Sequence, residues 1–145
     1  EVTGTPNENE SHKDSIVAIV YDKENDKYLT INWKELGGRL FIGGTRHDGE
    51  DTIKCALREI KEETGYVAKT WKSLGFINTT PGICDEKLYL YFAKDLTYTK
   101  PNPDEGEIIQ ALEYNINDVF KMIQNGEIND AKTLCALLRA YKIEV

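Results

Sequence analysis

The chain has 145 residues, 40% of them hydrophobic, and this size and composition predict one globular domain with a single core. Its formal net charge of -7 and pI near 4.9 argue against nucleic acid and against an anionic membrane surface as partners. No apolar run approaches the roughly 18 residues that a bilayer span needs. Three widely spaced cysteines, without CxxC or zinc-ligand spacing, indicate reduced and mostly buried thiols in a cytoplasmic protein.

The sequence predicts a mixture of strands and helices, in an α/β order. Residues 1–13 are polar and free of aromatic side chains, which indicates a flexible tail before a folded domain over residues 14–145. The β-branched stretch SIVAIVY, residues 15–21, predicts a central strand buried on both faces. Further strands are expected over residues 28–33, 39–42, 66–80, 86–96 and 108–114.

Three helices are predicted between and after these strands. The first runs from about Asp51 to Thr64 and is stopped by Gly65, a residue that commonly ends a helix. The other two are expected near residues 116–125 and 128–142 at the end of the chain.

The first helix has two distinct faces. At about 100° per residue, its apolar side chains fall on one stripe, which we expect to face the core: Ile53, Ala56, Leu57 and Ile60. Glu59, Glu62 and Glu63 fall on a neighbouring flank, where their spacing brings three negative charges toward one small volume. This grouping is unfavourable for an isolated helix.

Two interpretations of the acidic flank stay open at this point. The first is a solvated acidic face without a special role. The second is a cage for Mg²⁺ or Mn²⁺, because hard oxygen ligands suit these ions and a cation would relieve the repulsion. Arg58 stands beside the cluster as a fork-like partner for a carboxylate, and Glu50 lies at the amino end of the helix.

The stretch GGTRHDGEDTIKCALREIKEETGY, residues 43–66, resembles the signature of a known family. It is similar to the Nudix box of the Nudix hydrolases, with matching residues at each fixed position: Gly44, Glu50, Arg58, Glu59, Glu62, Glu63 and Gly65. Tyr66 departs from the usual aliphatic residue. The resemblance implies an α/β (α+β) fold in which a mixed β-sheet lies between helices and carries a loop-helix-loop metal site.

The same resemblance implies roles for individual residues. Glu59 and Glu63 are expected as metal ligands, with Glu62 a further ligand and the carbonyl of Gly43 a main-chain ligand. Arg58 would orient the glutamates. The cation would then neutralise a pyrophosphate that this acidic chain would otherwise repel.

The sequence after the box resembles the ADP-ribose pyrophosphatase subgroup. Pro81 and the segments PGICDEKLYLYFAKDL, DEGEII and NGEINDAKT follow in the same order as in that subgroup. The resemblance implies that the acidic loop of residues 100–107 supplies Glu105 as a residue that activates water and Glu107 as a second-shell or metal-linked partner. A solvated acidic loop is the alternative interpretation.

The expected function is Mg²⁺-dependent hydrolysis of a nucleoside diphosphate linked to another moiety, such as ADP-ribose or a nucleoside diphosphate sugar. Water would be activated by Glu105 or, failing that, by Glu63. The alternatives are a nucleoside triphosphate pyrophosphohydrolase and a non-catalytic ligand-sensing domain of a larger protein. Only about 14 residues precede the first strand, whereas members of the subgroup usually carry a segment there that is swapped between subunits, so a homodimer is left open.

Overall fold

One mixed β-sheet with helices on both faces is formed by the residues that the computed structural model describes, which are 14–33, 38–99 and 111–140. Its strands are β1 Ser15–Asp22, β2 Lys27–Trp33, β3 Gly38–Leu40, β4 Ile42–Thr45, β5 Tyr66–Asn78, β6 Lys87–Tyr98 and β7 Ala111–Tyr114. Its helices are α1 Thr52–Thr64, α2 Ile116–Gln124 and α3 Ala131–Ala140.

Strand β1 lies at the centre of the sheet. It pairs in parallel with β6 along one side, and on the other side it pairs antiparallel with β4 over its first half and with β2 near its end. Strand β5 runs antiparallel to β6 at one edge, and both β3 and β7 pair with β2. Residues 16–20 of β1 are all buried, so the prediction of a central strand covered on both faces is confirmed.

Two apolar layers cover the sheet. On one face α1 packs against β1, β4 and β6, and the predicted core stripe is confirmed: Ala56 and Ile60 are buried, and Ile53 and Leu57 pack against them. On the other face α2 and α3 cover the opposite side chains of β1 and β6. Among the residues that the structure describes, no helix combines the length and the apolar character that a bilayer span requires.

The stretch before the box differs from the prediction of one strand over residues 39–42. Leu40 ends β3 and Ile42 begins β4, because the chain leaves its partner β2 and joins β1 at this point. Between them, the buried Phe41 donates its backbone N–H to Oγ1 of Thr133 in α3, at 3.1 Å. Gly43 therefore lies within a strand and not after one.

The last helix and the cysteines also differ from expectation. Helix α3 begins at Ala131, three residues later than predicted, because Ile128 is buried in the core and Asp130 accepts from the backbone N–H of Thr133. The cysteines are free thiols, but only Cys55 is buried, Cys84 is half-buried and Cys135 is exposed on α3. The prediction of mostly buried thiols was therefore wrong.

Several predictions concern residues outside the described ranges. These are the tail over residues 1–13, the acidic loop of residues 100–107 with Glu105 and Glu107, and the ends of the strand at 108–114 and the helix at 128–142.

Candidate active site

Helix α1 is held between two well-defined ends. Its first residue is Thr52, whose hydroxyl is hydrogen-bonded to the hydroxyl of Tyr91 in β6 at 2.5 Å. Its last turn is closed by Gly65 in the left-handed conformation, with φ of 79°, and the Gly65 N–H donates to the Lys61 carbonyl at 2.9 Å. A glycine adopts this conformation at little cost, so the predicted helix stop at Gly65 is explained.

Arg58 connects the loop before the helix to the acidic flank. Its Nε and Nη2 donate to the two carboxylate oxygens of Glu50 at 2.9 and 3.0 Å, which is a two-pronged ion pair. Its Nη1 donates to Glu59 at 2.8 Å and to Glu62 at 3.2 Å. One guanidinium therefore fixes the position of three carboxylates.

Glu50 in turn orders the loop. Its carboxylate accepts the backbone N–H of His47 at 3.1 Å, and its own N–H donates to the His47 carbonyl at 3.0 Å. The hydrogen bond from Arg58 lowers the pKa of Glu50 to about 2. Glu50 is therefore ionised at neutral pH and serves as the anchor of Arg58, while His47 itself is exposed.

Glu59 and Glu63 form a pair of interacting carboxyl groups at the centre of the site. Burial raises the pKa of both groups, and the pKa of Glu63 reaches about 9 because the charge of Glu59 and a hydrogen bond between the two carboxyls add to that effect. The backbone N–H of Gly43 acts in the opposite direction on Glu63. Glu63 is only 8% exposed, and its raised pKa favours the protonated form in the metal-free protein.

Gly44 provides the space in which Glu59 lies. A Cβ built on Gly44 would overlap the carboxyl group of Glu59 and would lie 2.6 Å from its Cγ. Real Cβ atoms do not approach neighbours so closely, so a side chain at residue 44 and the present position of Glu59 exclude each other.

The carboxyl pair has the properties that a hard divalent cation requires. Oε2 of Glu63 is buried and has no hydrogen-bond partner, a costly arrangement that a cation would correct. Glu62 is 39% exposed and is directed to Arg58, so the fold couples two of the three predicted ligands more closely than the third. Within the described ranges, no three acidic, histidine or cysteine side chains are already arranged around one metal position.

The structure brings together Gly43, Arg58, Glu59, Glu62 and Glu63, which were all singled out in the sequence. Glu105 and Glu107 lie outside the described residues. The sequence did not reveal the contact of Gly44 with Glu59 or that of Thr52 with Tyr91, because each joins α1 to a strand and depends on how the two pack. Gly44 at the first position of the box was the one available signal for the former.

The comparison with known families now identifies the class of protein. The family model described as NUDIX domain matches residues 11–137, so the chain belongs to the Nudix family. The resemblance noted at residues 43–66 is therefore confirmed, and so is the expected fold of a mixed sheet between helices. A solved structure titled "Crystal structure of ADP compounds hydrolase" superposes with a TM-score of 0.79 at 21% identity, covering 90% of this chain and 72% of that one.

Comparison with curated relatives shows which members of the family this chain resembles. An ADP-ribose pyrophosphatase of Bacillus subtilis (strain 168) is 35% identical over 96 residues, which are 65% of this chain and 52% of that protein. The chain therefore matches about half the length of that relative. A protein of Bacillus methanolicus named methanol dehydrogenase activator is 30% identical over 132 residues, which are 87% of this chain and 71% of that protein. A GDP-mannose pyrophosphatase of Yersinia pestis (strain Pestoides F) is 31% identical over 93 residues, which are 62% of this chain and 47% of that protein.

Proposed function

We propose that this protein is a pyrophosphohydrolase that uses Mg²⁺ or Mn²⁺ to cleave a nucleoside diphosphate linked to a second moiety. The favoured substrates are ADP-ribose and nucleoside diphosphate sugars, and the products are a nucleoside monophosphate and a sugar phosphate. The names of the relatives support this substrate class. The proposal includes a cytoplasmic location and leaves a homodimer as an option.

The observation that carries the proposal is the carboxyl pair of the half-buried Glu59 and the buried Glu63, with one buried oxygen of Glu63 lacking a hydrogen-bond partner. A protein that only needed a stable helix would gain nothing from bringing a buried and a half-buried carboxyl group together, because burial disfavours their charged forms. The pair is reasonable if the carboxylates bind a cation together with Glu62 and the Gly43 carbonyl. A divalent cation in that place would neutralise the pyrophosphate and promote the ionisation of water.

The other residues of the site hold this carboxyl pair in position. Arg58 holds Glu59 from one side, and Glu50 fixes Arg58 with two hydrogen bonds. Gly44 leaves the volume that Glu59 fills. Glu63 must release its proton before it can serve as a ligand, so cation binding and loss of this proton are coupled.

The group that activates water is proposed to be Glu105, in the acidic loop outside the described residues. Glu105→Gln should lower kcat about 10²- to 10⁴-fold, the usual effect of removing a positioned general base, and should leave metal affinity nearly unchanged. Steady-state kinetics and a Mn²⁺ titration measure the two quantities. A loss of less than about fivefold would transfer the role to Glu63.

A nucleoside triphosphate pyrophosphohydrolase and a non-catalytic sensor are the alternatives. The name of one relative, methanol dehydrogenase activator, supports the alternative in which the protein acts on another protein. An activity screen distinguishes these functions: the purified chain is incubated with ADP-ribose, GDP-mannose, dinucleotides and nucleoside triphosphates, each with Mg²⁺ and with EDTA. We expect Mg²⁺-dependent cleavage of ADP-ribose or GDP-mannose. Preferential cleavage of triphosphates would support the first alternative, and no cleavage at all would support the second.

A further inference from the structure

Two hydroxyl groups join the start of α1 to the middle of the sheet. Oγ1 of Thr52 and Oη of Tyr91 lie 2.5 Å apart, and Tyr91 in β6 is only 6% exposed. A buried tyrosine hydroxyl needs a hydrogen-bond partner, whereas its ring would pack in the apolar layer under α1 without one. The hydroxyl of Tyr91 therefore serves the contact with α1 and not the packing of the ring.

The first turn of α1 has no side-chain cap. Asp51 occupies the N-cap position, but its carboxylate makes no capping hydrogen bond. The helix begins with the backbone hydrogen bond from the Cys55 N–H to the Asp51 carbonyl, at 2.9 Å. Helix ends that lack a cap fray more readily, so the link from Thr52 to the sheet helps to fix this turn.

Tyr91 itself is held in a fixed position. It lies opposite Ala18 of β1 on one side and Ser73 of β5 on the other, so β6 is paired on both sides at this level. Its ring packs edge-on against Trp71, with centroids 6.1 Å apart and planes at 81°. A contact to a rigid element positions a site more precisely than a contact to a loop, and Tyr91 meets that condition.

The level of the sheet that carries Tyr91 also leads to the carboxyl pair. Tyr91 of β6 and Ile42 of β4 pair with the same residue of β1, so they are two strand spacings apart, about 10 Å. The seven residues from Thr52 to Glu59 rise by about 10 Å along α1. Because Glu59 fills the space beside Gly44, two residues after Ile42, α1 crosses the sheet from Tyr91 to β4. The contact at Tyr91 thus sets where Glu59 meets β4.

The start of α1 is also linked to Arg58. Glu50 precedes Thr52 by two residues, and its two hydrogen bonds hold the guanidinium of Arg58, which in turn donates to Glu59. A displaced first turn would move Glu50. Glu59 would then lose its orientation through Arg58 as well.

We infer that Thr52 and Tyr91 are positioning residues that set where α1 presents Glu59 and Glu63 to β4. Neither residue is assigned a contact with the cation or with substrate, and both act through Arg58 and Glu59. The inference rests on the proposed function, because it takes the carboxyl pair as metal ligands.

The first test measures Mn²⁺ affinity by electron paramagnetic resonance. Tyr91→Phe and Thr52→Val each remove one hydroxyl and keep the shape of the side chain. We expect each to lower Mn²⁺ affinity about 3- to 10-fold, the effect of one hydrogen bond, and the double variant to lower it no further. Thr52→Ser retains the hydroxyl and should bind Mn²⁺ nearly as well as wild type.

The second test needs no metal. Hydrogen exchange in EDTA, followed by NMR, compares the amide of Cys55 in the first turn of α1 with that of Gly65 at its end, which donates to Lys61. In Tyr91→Phe we expect faster exchange at Cys55 and an unchanged rate at Gly65. A hydroxyl that only stabilised the whole fold would change both rates alike.

Tyr89→Phe is the matched control, because Tyr89 lies two residues away in the same layer and contacts Phe76 through its ring. This variant should change neither Mn²⁺ affinity nor the exchange of Cys55. Equal Mn²⁺ affinity in wild type and Tyr91→Phe would overturn the inference. An equal loss in Tyr89→Phe, or losses that add in the double variant, would also overturn it.

Failure of the proposed function gives a different result. A wild-type chain that binds no Mn²⁺ and cleaves no ADP-ribose would reject the metal site itself, whatever the exchange at Cys55. A wild type that binds Mn²⁺ and cleaves ADP-ribose, with Tyr91→Phe equal to it in both respects, would reject only the positioning role.

Discussion

Arg58 and a retained proton together explain how α1 tolerates its acidic flank. Arg58 compensates Glu50, Glu59 and Glu62 through hydrogen bonds of 2.8 to 3.2 Å. Glu63 is compensated differently, since its raised pKa keeps it neutral in the metal-free protein. The repulsion expected from the sequence is thus relieved before any cation binds, and a cation would replace the proton of Glu63.

Gly44 offers a test of the site that leaves every charge in place. In Gly44→Ala the new methyl group would displace the Glu59 carboxyl group, whose position it would overlap. We expect Mn²⁺ affinity to fall about 10- to 100-fold, as when a ligand loses its orientation, and hydrolysis to fall with it. Titration of Mn²⁺ by electron paramagnetic resonance measures the affinity.

Gly82 provides the control, because a Cβ there meets nothing within 4 Å. Gly82→Ala has a backbone cost from its φ of +86° but no contact with the carboxyl pair, so metal affinity should not change. Wild-type Mn²⁺ affinity in Gly44→Ala would show that Glu59 is not a ligand in its present position.

At the scale of the elements, α3 is joined to the sheet by a buried polar contact. Oγ1 of Thr133 accepts the N–H of Phe41 and donates to Asp130, and Thr133 is fully buried. Thr133→Val would keep the shape but leave the Phe41 N–H unpaired. We expect unfolding free energy to fall by about 1 to 3 kcal/mol, measured by urea denaturation.

Thr133→Ser keeps the hydroxyl and should lose less of this stability than Thr133→Val. If both variants lose the same amount, the methyl group and not the hydrogen bond is responsible. In either case kcat at saturating Mg²⁺ should remain close to wild type, because α3 lies on the face of the sheet opposite α1.

The sequence predicted those elements whose pattern is local. The buried run of β1 and the apolar stripe of α1 follow from the pattern of apolar residues. The end of α1 at Gly65 follows from the left-handed backbone conformation that glycine adopts readily. The division between β3 and β4 could not be predicted, because it depends on which strand each half pairs with. The late start of α3 likewise depends on burial of Ile128, a tertiary effect.

The candidate site was predictable in composition but not in arrangement. The spacing of Glu59, Glu62 and Glu63 indicated one acidic flank, yet the fold buries Glu63, half-buries Glu59 and leaves Glu62 exposed beside Arg58. This difference arises from Gly43 and Gly44 in β4, which approach the flank from another element. No helical periodicity contains that information.

At the scale of the whole molecule, Glu63 should make the stability of the metal-free protein depend on pH. The folded state keeps the Glu63 proton up to about pH 9, whereas the unfolded chain loses it near its ordinary value of 4.5. Between these values folding takes up a proton, so this contribution to unfolding free energy decreases as pH rises. Glu63→Gln removes the dependence.

Thermal denaturation in EDTA measures this effect. We expect the melting temperature of Glu63→Gln to exceed that of wild type by an amount that grows from pH 5 to pH 9. Excess Mg²⁺ should raise the melting temperature of wild type but not that of the variant. A difference between the two proteins that is constant with pH would contradict the assignment of a raised pKa to Glu63.

The central claim is that the protein cleaves a phosphoanhydride bond with the carboxyl pair of α1, and the most direct test follows the oxygen of water. Wild type and Glu63→Gln are each incubated with ADP-ribose and Mg²⁺ in ¹⁸O-labelled water. The isotope content of each product is then measured by mass spectrometry. We predict AMP and ribose 5-phosphate, with the label in AMP, and almost no turnover by Glu63→Gln. Release of free adenine, or undiminished turnover by Glu63→Gln, would contradict the account.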